Sequence, residues 1–181
     1  MTGAKILAFG GYQPDRVVTN DDLAKIVDTS DEWIRSRVGI ESRRVAAADE
    51  TVADMAEAAG AKALAASGLA PAAIDLVIVA TCSPEVPLPP VAATVAYRLG
   101  IVEPWAYDLN AACAGFCYAL GTAADAVRAG SARNVLVIGA AKMMQVDRSF
   151  QSSQSVIFSA PITRTFRALP ARTASDAVPS A

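Results

Sequence analysis

The spacing of apolar and polar residues becomes regular beyond about residue 70. Short apolar runs at 76–81, 105–109 and 134–139 alternate with helical spacing at 90–99 and about 112–129, and Gly100 and Gly130 stand at the ends of the helical stretches. The run Leu76-Val77-Ile78-Val79-Ala80 has no polar alternation, as a strand covered on both faces requires. Strand and helix in alternation predict an α/β layered domain with a largely parallel sheet.

The preceding residues are less regular. An apolar run at 5–11 ends in Gly10-Gly11 and is followed by Pro14, which predicts a strand and then a turn, and Val17-Val18 reads as a further piece of sheet. Asn20 is placed to cap a short helix opening Asp21-Asp22-Leu23, whose acids suit the positive end of the macrodipole. A second short helix spans residues 29–37, capped by Thr29 or Ser30 and stopped by Gly39, with Trp33 and Arg37 four apart on one face. Thr51 and Asp54 make a capping-box pattern that opens a long alanine-rich helix closed at Gly68.

The pattern fails beyond Met144. Residues 145–181 are rich in Ser, Thr, Ala, Arg and Pro and hold two acids, Asp147 and Asp176, which divides the chain into a domain at 1–144 and a poorly ordered tail at 145–181, with Val156-Ile157-Phe158 as a strand candidate inside it. Such an abrupt change of composition points to a truncated or shifted reading frame.

A net charge of −2 over 181 residues, 53% of them hydrophobic, excludes a disordered chain and leaves no strong footprint for nucleic acid or a membrane surface. A chain of this length buries roughly 70% of its unfolded surface without disulfides or metals. No run of roughly 18 apolar residues and no leader-like segment is present, and three cysteines are an odd, sparse set; a reducing, cytoplasmic location is expected. Histidine is absent, so these residues offer no imidazole base, no Ser-His or Cys-His pair and no His-ligated metal.

Candidate chemistry concentrates at Cys113. It stands where the strand ending at Asp108-Leu109-Asn110 turns into a helix, near amides without intrahelical partners, a position that favours a thiolate. It is also at the carboxyl end of a parallel strand, where open α/β sheets carry their sites, among small residues that let a thioester approach. The other reading is core packing: Cys113, Phe116, Cys117, Leu120, Ala124 and Val127 form a helical stripe. Cys117 and Cys82 are assigned to packing, and no metal site is expected from two helical thiols without further ligands. Trp33, Arg37 and Arg35 form an aromatic and guanidinium patch suited to a purine and its phosphates, or else an edge packer with ordinary helix-end cations.

The segments PDRVVTNDDLAKIVDTSDEWIRSRVGIESRR at 14–44 and DLNAACAGFCYAL at 108–120, with ETVADMAEAA, IDLVIVATCSPEVPLPP and VLVIGA between and after them, resemble β-ketoacyl-acyl-carrier-protein synthase III over roughly residues 1–143. The resemblance implies a thiolase-like fold, of which this chain is the N-terminal half of an αβαβα layered sandwich. It implies an acyltransferase of fatty-acid initiation in which Cys113 accepts an acetyl group from acetyl-CoA. Condensation with malonyl-acyl-carrier protein follows, with acyl-CoA and acyl-carrier protein as partners, a homodimer, and no resident cofactor. It places Trp33 on the CoA adenine with Arg37 and Thr29 near the nucleotide, and Leu88 at a usually aromatic position of the acyl pocket and dimer loop, where an aliphatic residue alters primer choice.

Departures from the resemblance also carry expectations. The family draws a histidine and an asparagine from its second half, and a glycine-rich FGDGAGA-like turn is replaced here by Ser155-Val156-Ile157-Phe158-Ser159-Ala160-Pro161. The sequence therefore predicts acylation of Cys113 without condensation. The alternatives are a half-domain that binds CoA or dimerises through the strand at 135–139 without catalysis, and an inactive fragment.

Overall fold

A computed structural model describes residues 3–142 and the strand at 162–168. Strands β1 (Ala4–Gly11), β2 (Arg16–Thr19), β3 (Ser42–Val45), β4 (Leu76–Ala80), β5 (Trp105–Leu109), β6 (Asn134–Gly139) and β7 (Ile162–Ala168) form two sheets. Helices α1 (Asn20–Ala24), α2 (Asp31–Val38), α3 (Val52–Ser67), α4 (Val91–Arg98) and α5 (Gly115–Ala129) complete the fold. The main sheet runs β1-β7-β6-β4-β5, with β4 parallel to both β5 and β6 and Leu76 opposite Trp105 and Val135. The fold class is α/β, as the alternation predicts.

The two-residue period of the strands divides the core. Val77, Val79, Leu136 and Ile138 face α3 and α4, packing with Met55, Ala56, Val91 and Val95. Leu76, Ile78, Val135 and Val137 face the opposite way onto Ala119, Ala123 and Val127 of α5. All five residues of β4 are buried, which explains its unbroken apolar run. Each fully buried Val, Leu or Ile among them contributes about 1.5–3 kcal/mol.

Several elements differ from the sequence reading. The tail expected at 145–181 supplies β7, antiparallel to both β1 and β6 and inserted between them. The Arg- and Ala-rich composition of that region hides a segment, ITRTFRA, whose Ile162, Thr163, Thr165 and Phe166 are strand formers. The strand candidate at 156–158 lies outside the described residues.

Val17 and Val18 do not extend the main sheet but pair with Arg44 and Arg43 in a separate two-stranded sheet, β2 with β3. Gly10 and Gly11 are the end of β1, as the run at 5–11 predicts. A Cβ on Gly10 would lie 2.4 Å from the Ala63 nitrogen and 2.5 Å from the Ala59 oxygen, so glycine lets β1 touch the backbone of α3. The β6 strand, expected at 135–139 to mediate dimerisation, is paired on both edges, by β4 and β7; the edge strands among the described residues are β1 and β5. No helix among the described residues is long and apolar enough to cross a membrane.

Helix ends follow local chemistry. Thr51 and Asp54 cap α3 reciprocally, and Gly68 closes it at φ 69°. Helix α4 starts after Pro90, which has no capping side chain, and its first amides, Val91 and Ala92, each donate to a different oxygen of the Asp108 carboxylate at 2.8 Å. Asp108 thus caps from β5 a helix that cannot cap itself. Replacing Asp108 with Ala is expected to lower unfolding free energy by about 1–2 kcal/mol, read as a lower urea midpoint with unchanged slope.

Candidate active site at the end of strand β5

The chain leaves β5 through Asn110, whose Oδ1 accepts from the Ala112 amide at 3.2 Å. Ala112 takes φ 45°, a left-handed conformation that costs a residue with a Cβ about 1–2 kcal/mol. A 3-10 turn, Ala112–Ala114, follows, and the Ala114 amide donates to Ala111 at 3.1 Å. Cys113 is the middle residue of this turn and is exposed. The nucleophile candidate therefore lies just before α5, not in its first turn, because the tight turn delays the helix to Gly115.

Small residues explain how the turn sits on the sheet. A Cβ on Gly115 would meet the Ala80 Cβ at 3.4 Å, and one on Gly139 would meet Phe116 at 3.1 Å. The ACAGF segment is thereby pressed against the carboxyl ends of β4 and β6. The buried ridge of α5 is Gly115, Ala119, Ala123 and Val127. Two residues correspond to about 200° around a helix, so Cys117, two positions from both Gly115 and Ala119, points away from the core, while Phe116 and Leu120 flank the buried ridge and Val127 belongs to it. Cys113, Cys117 and Cys82 are all exposed, which corrects the core reading of Cys113 and the packing assigned to the other two.

Leu88 lies in the loop after β4, 78% exposed, at a cis bond to Pro89. That loop and the Cys113 turn emerge from the carboxyl ends of neighbouring parallel strands, whose last residues, Ala80 and Leu109, are paired.

Helix α2 carries the second candidate group. Ser30, not Thr29, caps it, and Gly39 ends it at φ 69°. Trp33 is 51% exposed, and the Arg37 guanidinium lies 5.6 Å from the centre of its ring. Arg35 does not share this patch, since it pairs with Asp31 at 2.7 Å and Glu41 at 2.6 Å. Thr29 Oγ1 is buried and has no hydrogen-bond partner among the described residues.

Asn20 departs furthest from its expected role. Thr19 caps α1 in a reciprocal box with Asp22, and Asn20 is buried, donating to Asp31 at 2.7 Å and to the Ile40 carbonyl at 2.8 Å while accepting from Arg43 at 2.9 Å. The T-x-x-D signal that reveals Thr51 and Asp54 is also present at Thr19 and Asp22 and releases Asn20 from capping. The Lys142 ammonium donates to the carbonyls of Ala47, Ala48 and Glu50, at 2.6–3.1 Å, in the segment that leads into α3.

A cavity of about 480 Å³ lies elsewhere, lined by Tyr12, Asp15, Arg16, Asp49, Glu50 and Asp54 with Val45 and Ala47. It contains none of the candidate residues. The Tyr12 hydroxyl donates to Glu50, which holds the phenol's pKa at about 12, and Lys62 sits 5.7 Å from the ring centre. No group of three or more metal-ligating side chains occurs among the described residues.

Comparison with known proteins gives a consistent picture. Residues 107–160 match the family model described as 3-oxoacyl-[acyl-carrier-protein (ACP)] synthase III. The chain is 60% identical over 146 residues to β-ketoacyl-[acyl-carrier-protein] synthase III 2 of Streptomyces avermitilis, covering 81% of this chain and 46% of the relative. It is 46% identical to the synthase III of Geobacillus kaustophilus, covering 86% and 50%. Among solved structures it is similar to 3-oxoacyl-[acyl-carrier-protein] synthase III of Aquifex aeolicus, with TM-score 0.86 and 42% identity over 91% of this chain and 54% of that one. The priming β-ketosynthase of the R1128 polyketide pathway superposes with TM-score 0.86 at 40% identity, covering 91% of this chain and 50% of that one. The chain spans about half the length of the curated relatives it matches.

The turn at Ala112 gives a direct test. Ala112→Val places a β-branched side chain at positive φ and is expected to cost at least about 1 kcal/mol in urea unfolding, whereas Ala112→Gly should stay within about 1 kcal/mol of the parent. Equal midpoints for the valine variant and the parent would contradict a left-handed residue before Cys113.

Proposed function

We propose that this chain is the N-terminal part of a β-ketoacyl-acyl-carrier-protein synthase III, which it resembles at 60% identity over 146 residues, and that Cys113 is an acyl acceptor for acyl-CoA thioesters. The observation that carries this reading is an exposed cysteine on a strained turn at the carboxyl end of β5, inside the ACAGF segment.

The Cys113 thiolate adds to the thioester carbonyl, the tetrahedral adduct collapses, and the carbon–sulfur bond to CoA breaks. CoA leaves as its thiolate and takes a proton from water, while the acyl group stays on Cys113 as a new thioester. One thioester is exchanged for another, so the step needs no oxidant and no metal. In the complete synthase the acyl group passes on to malonyl-acyl-carrier protein with loss of carbon dioxide, splitting the reaction into transfer and condensation. The 181 residues contain no histidine, so the condensation half draws on groups outside them.

Trp33 and Arg37 are the proposed contacts for the CoA nucleotide: a half-exposed indole face for the adenine and, beside it, a guanidinium without an ion pair among the described residues. Thr29 lies at the start of the same helix. The partner proposed for the open edge of β5 is a second copy of the chain. Trp105 is 64% exposed and Tyr97 85%, and an uncovered edge with aromatic neighbours is suited to pairing.

Incubation with acetyl-CoA is expected to add one acetyl group to the peptide containing Cys113. Cys113→Ala should abolish the adduct and Cys117→Ala should keep it, as read by peptide mass spectrometry; an adduct that survives Cys113→Ala would refute the assignment. Leu88→Phe should shift a panel of acyl-CoA primers about tenfold toward acetyl over longer chains, and identical preferences in both proteins would remove Leu88 from primer selection.

A further inference from the structure

Helix α2 is short and weakly anchored by apolar contact, for Ile34 is its only buried residue. Its orientation therefore depends on polar contacts, and these converge on one side chain. Asn20 is 1% exposed, and both hydrogens of its amide are used: one goes to Asp31, the first residue of α2, and the other to the carbonyl of Ile40, just past the Gly39 cap. One amide group thus joins the entry and the exit of the helix.

The amide oxygen faces the opposite way. It accepts from Nη1 of Arg43, a residue of β3 that is 7% exposed and makes no ion pair among the described residues. Buried guanidinium, amide and Asp31 carboxylate lie in sequence, so the amide dipole links a cation to an anion that do not touch. Asp31 is also held by Arg35, on the α2 turn between Trp33 and Arg37.

We propose that Asn20, Asp31 and Arg43 are positioning residues that hold the Trp33 and Arg37 face of α2 in register for an adenine nucleotide. This inference rests on the reading of that face as the CoA site. The network touches neither the nucleotide nor Cys113; it sets the direction of the indole and of Arg37 relative to β3.

The test uses the whole chain in a Trp105→Phe background, which leaves Trp33 as the fluorophore. CoA is titrated by Trp33 quenching, and acylation of Cys113 is followed separately with a nucleotide-free donor, an N-acetylcysteamine thioester. Asn20→Ala is expected to raise the CoA Kd about tenfold while changing the nucleotide-free rate by less than about twofold. Asp31→Asn removes a half-exposed carboxylate without opening a cavity, and should raise the Kd about threefold to fivefold. The pair Asn20→Asp with Asp31→Asn places an anion beside Arg43 and keeps a donor–acceptor pair between positions 20 and 31, and should recover part of the affinity lost in Asp31→Asn. Unchanged Kd values in both single variants would overturn the proposal, as would a parallel fall in nucleotide-free acylation. If Asn20→Ala does not fold, Asp31→Asn decides alone. A parent chain whose Trp33 does not respond to CoA would overturn the nucleotide reading and this inference with it, whereas a parent that responds and variants that match it would overturn only the inference.

Discussion

The placement of Cys113 and Leu88 depends on β4 and β6 being covered on both faces. Two adjacent parallel strands without an exposed side require helices above and below, α3 and α4 on one face and α5 on the other. Covering helices oblige the chain to cross the sheet after each strand, so the turns that carry candidate chemistry gather at the carboxyl ends. Cys113 and Leu88 are on such turns for that reason, and Asp108 reaches across to the start of α4 because β5 ends beside it.

The two candidate groups are held by different physics. The Cys113 turn is fixed by close packing: glycine and alanine bring α5 against the sheet, and Phe116 fills the space over Gly139. The Trp33 helix lies on an excursion outside the main sheet and is fixed by hydrogen bonds to Asn20 rather than by buried hydrocarbon. A packed turn suits a reacting atom, and a polar mount suits a surface that takes up a large, hydrated ligand.

Elements whose stability is local were legible in the sequence. The strands at 105–109 and 134–139, the capping box at Thr51 and Asp54, and the stops at Gly39, Gly68 and Gly130 all stand where spacing and cap chemistry put them. What spacing did not reveal was set by tertiary contact. The phase of α5 follows the smallest residues rather than the most apolar ones, so Cys117 falls on its exposed side, and Cys113 is exposed on the turn before it. Asn20 looks like a cap in isolation, and only the return of Ile40 and Arg43 makes it an interior residue. The composition of the last segment concealed β7, because arginines among strand formers read as a polar tail until a neighbouring strand is available.

The antiparallel insertion of β7 has a consequence for assembly. Its register joins Ala4 to Ala168, and β1 has no other partner in the sheet among the described residues. A newly made chain can therefore build its parallel core long before its first strand finds a neighbour. Closure across so many residues carries a high entropic penalty and makes this contact one of the last to form. Until then the outer edge of β6 stays available to any passing strand, which makes the interval before closure the period of greatest exposure to misassembly.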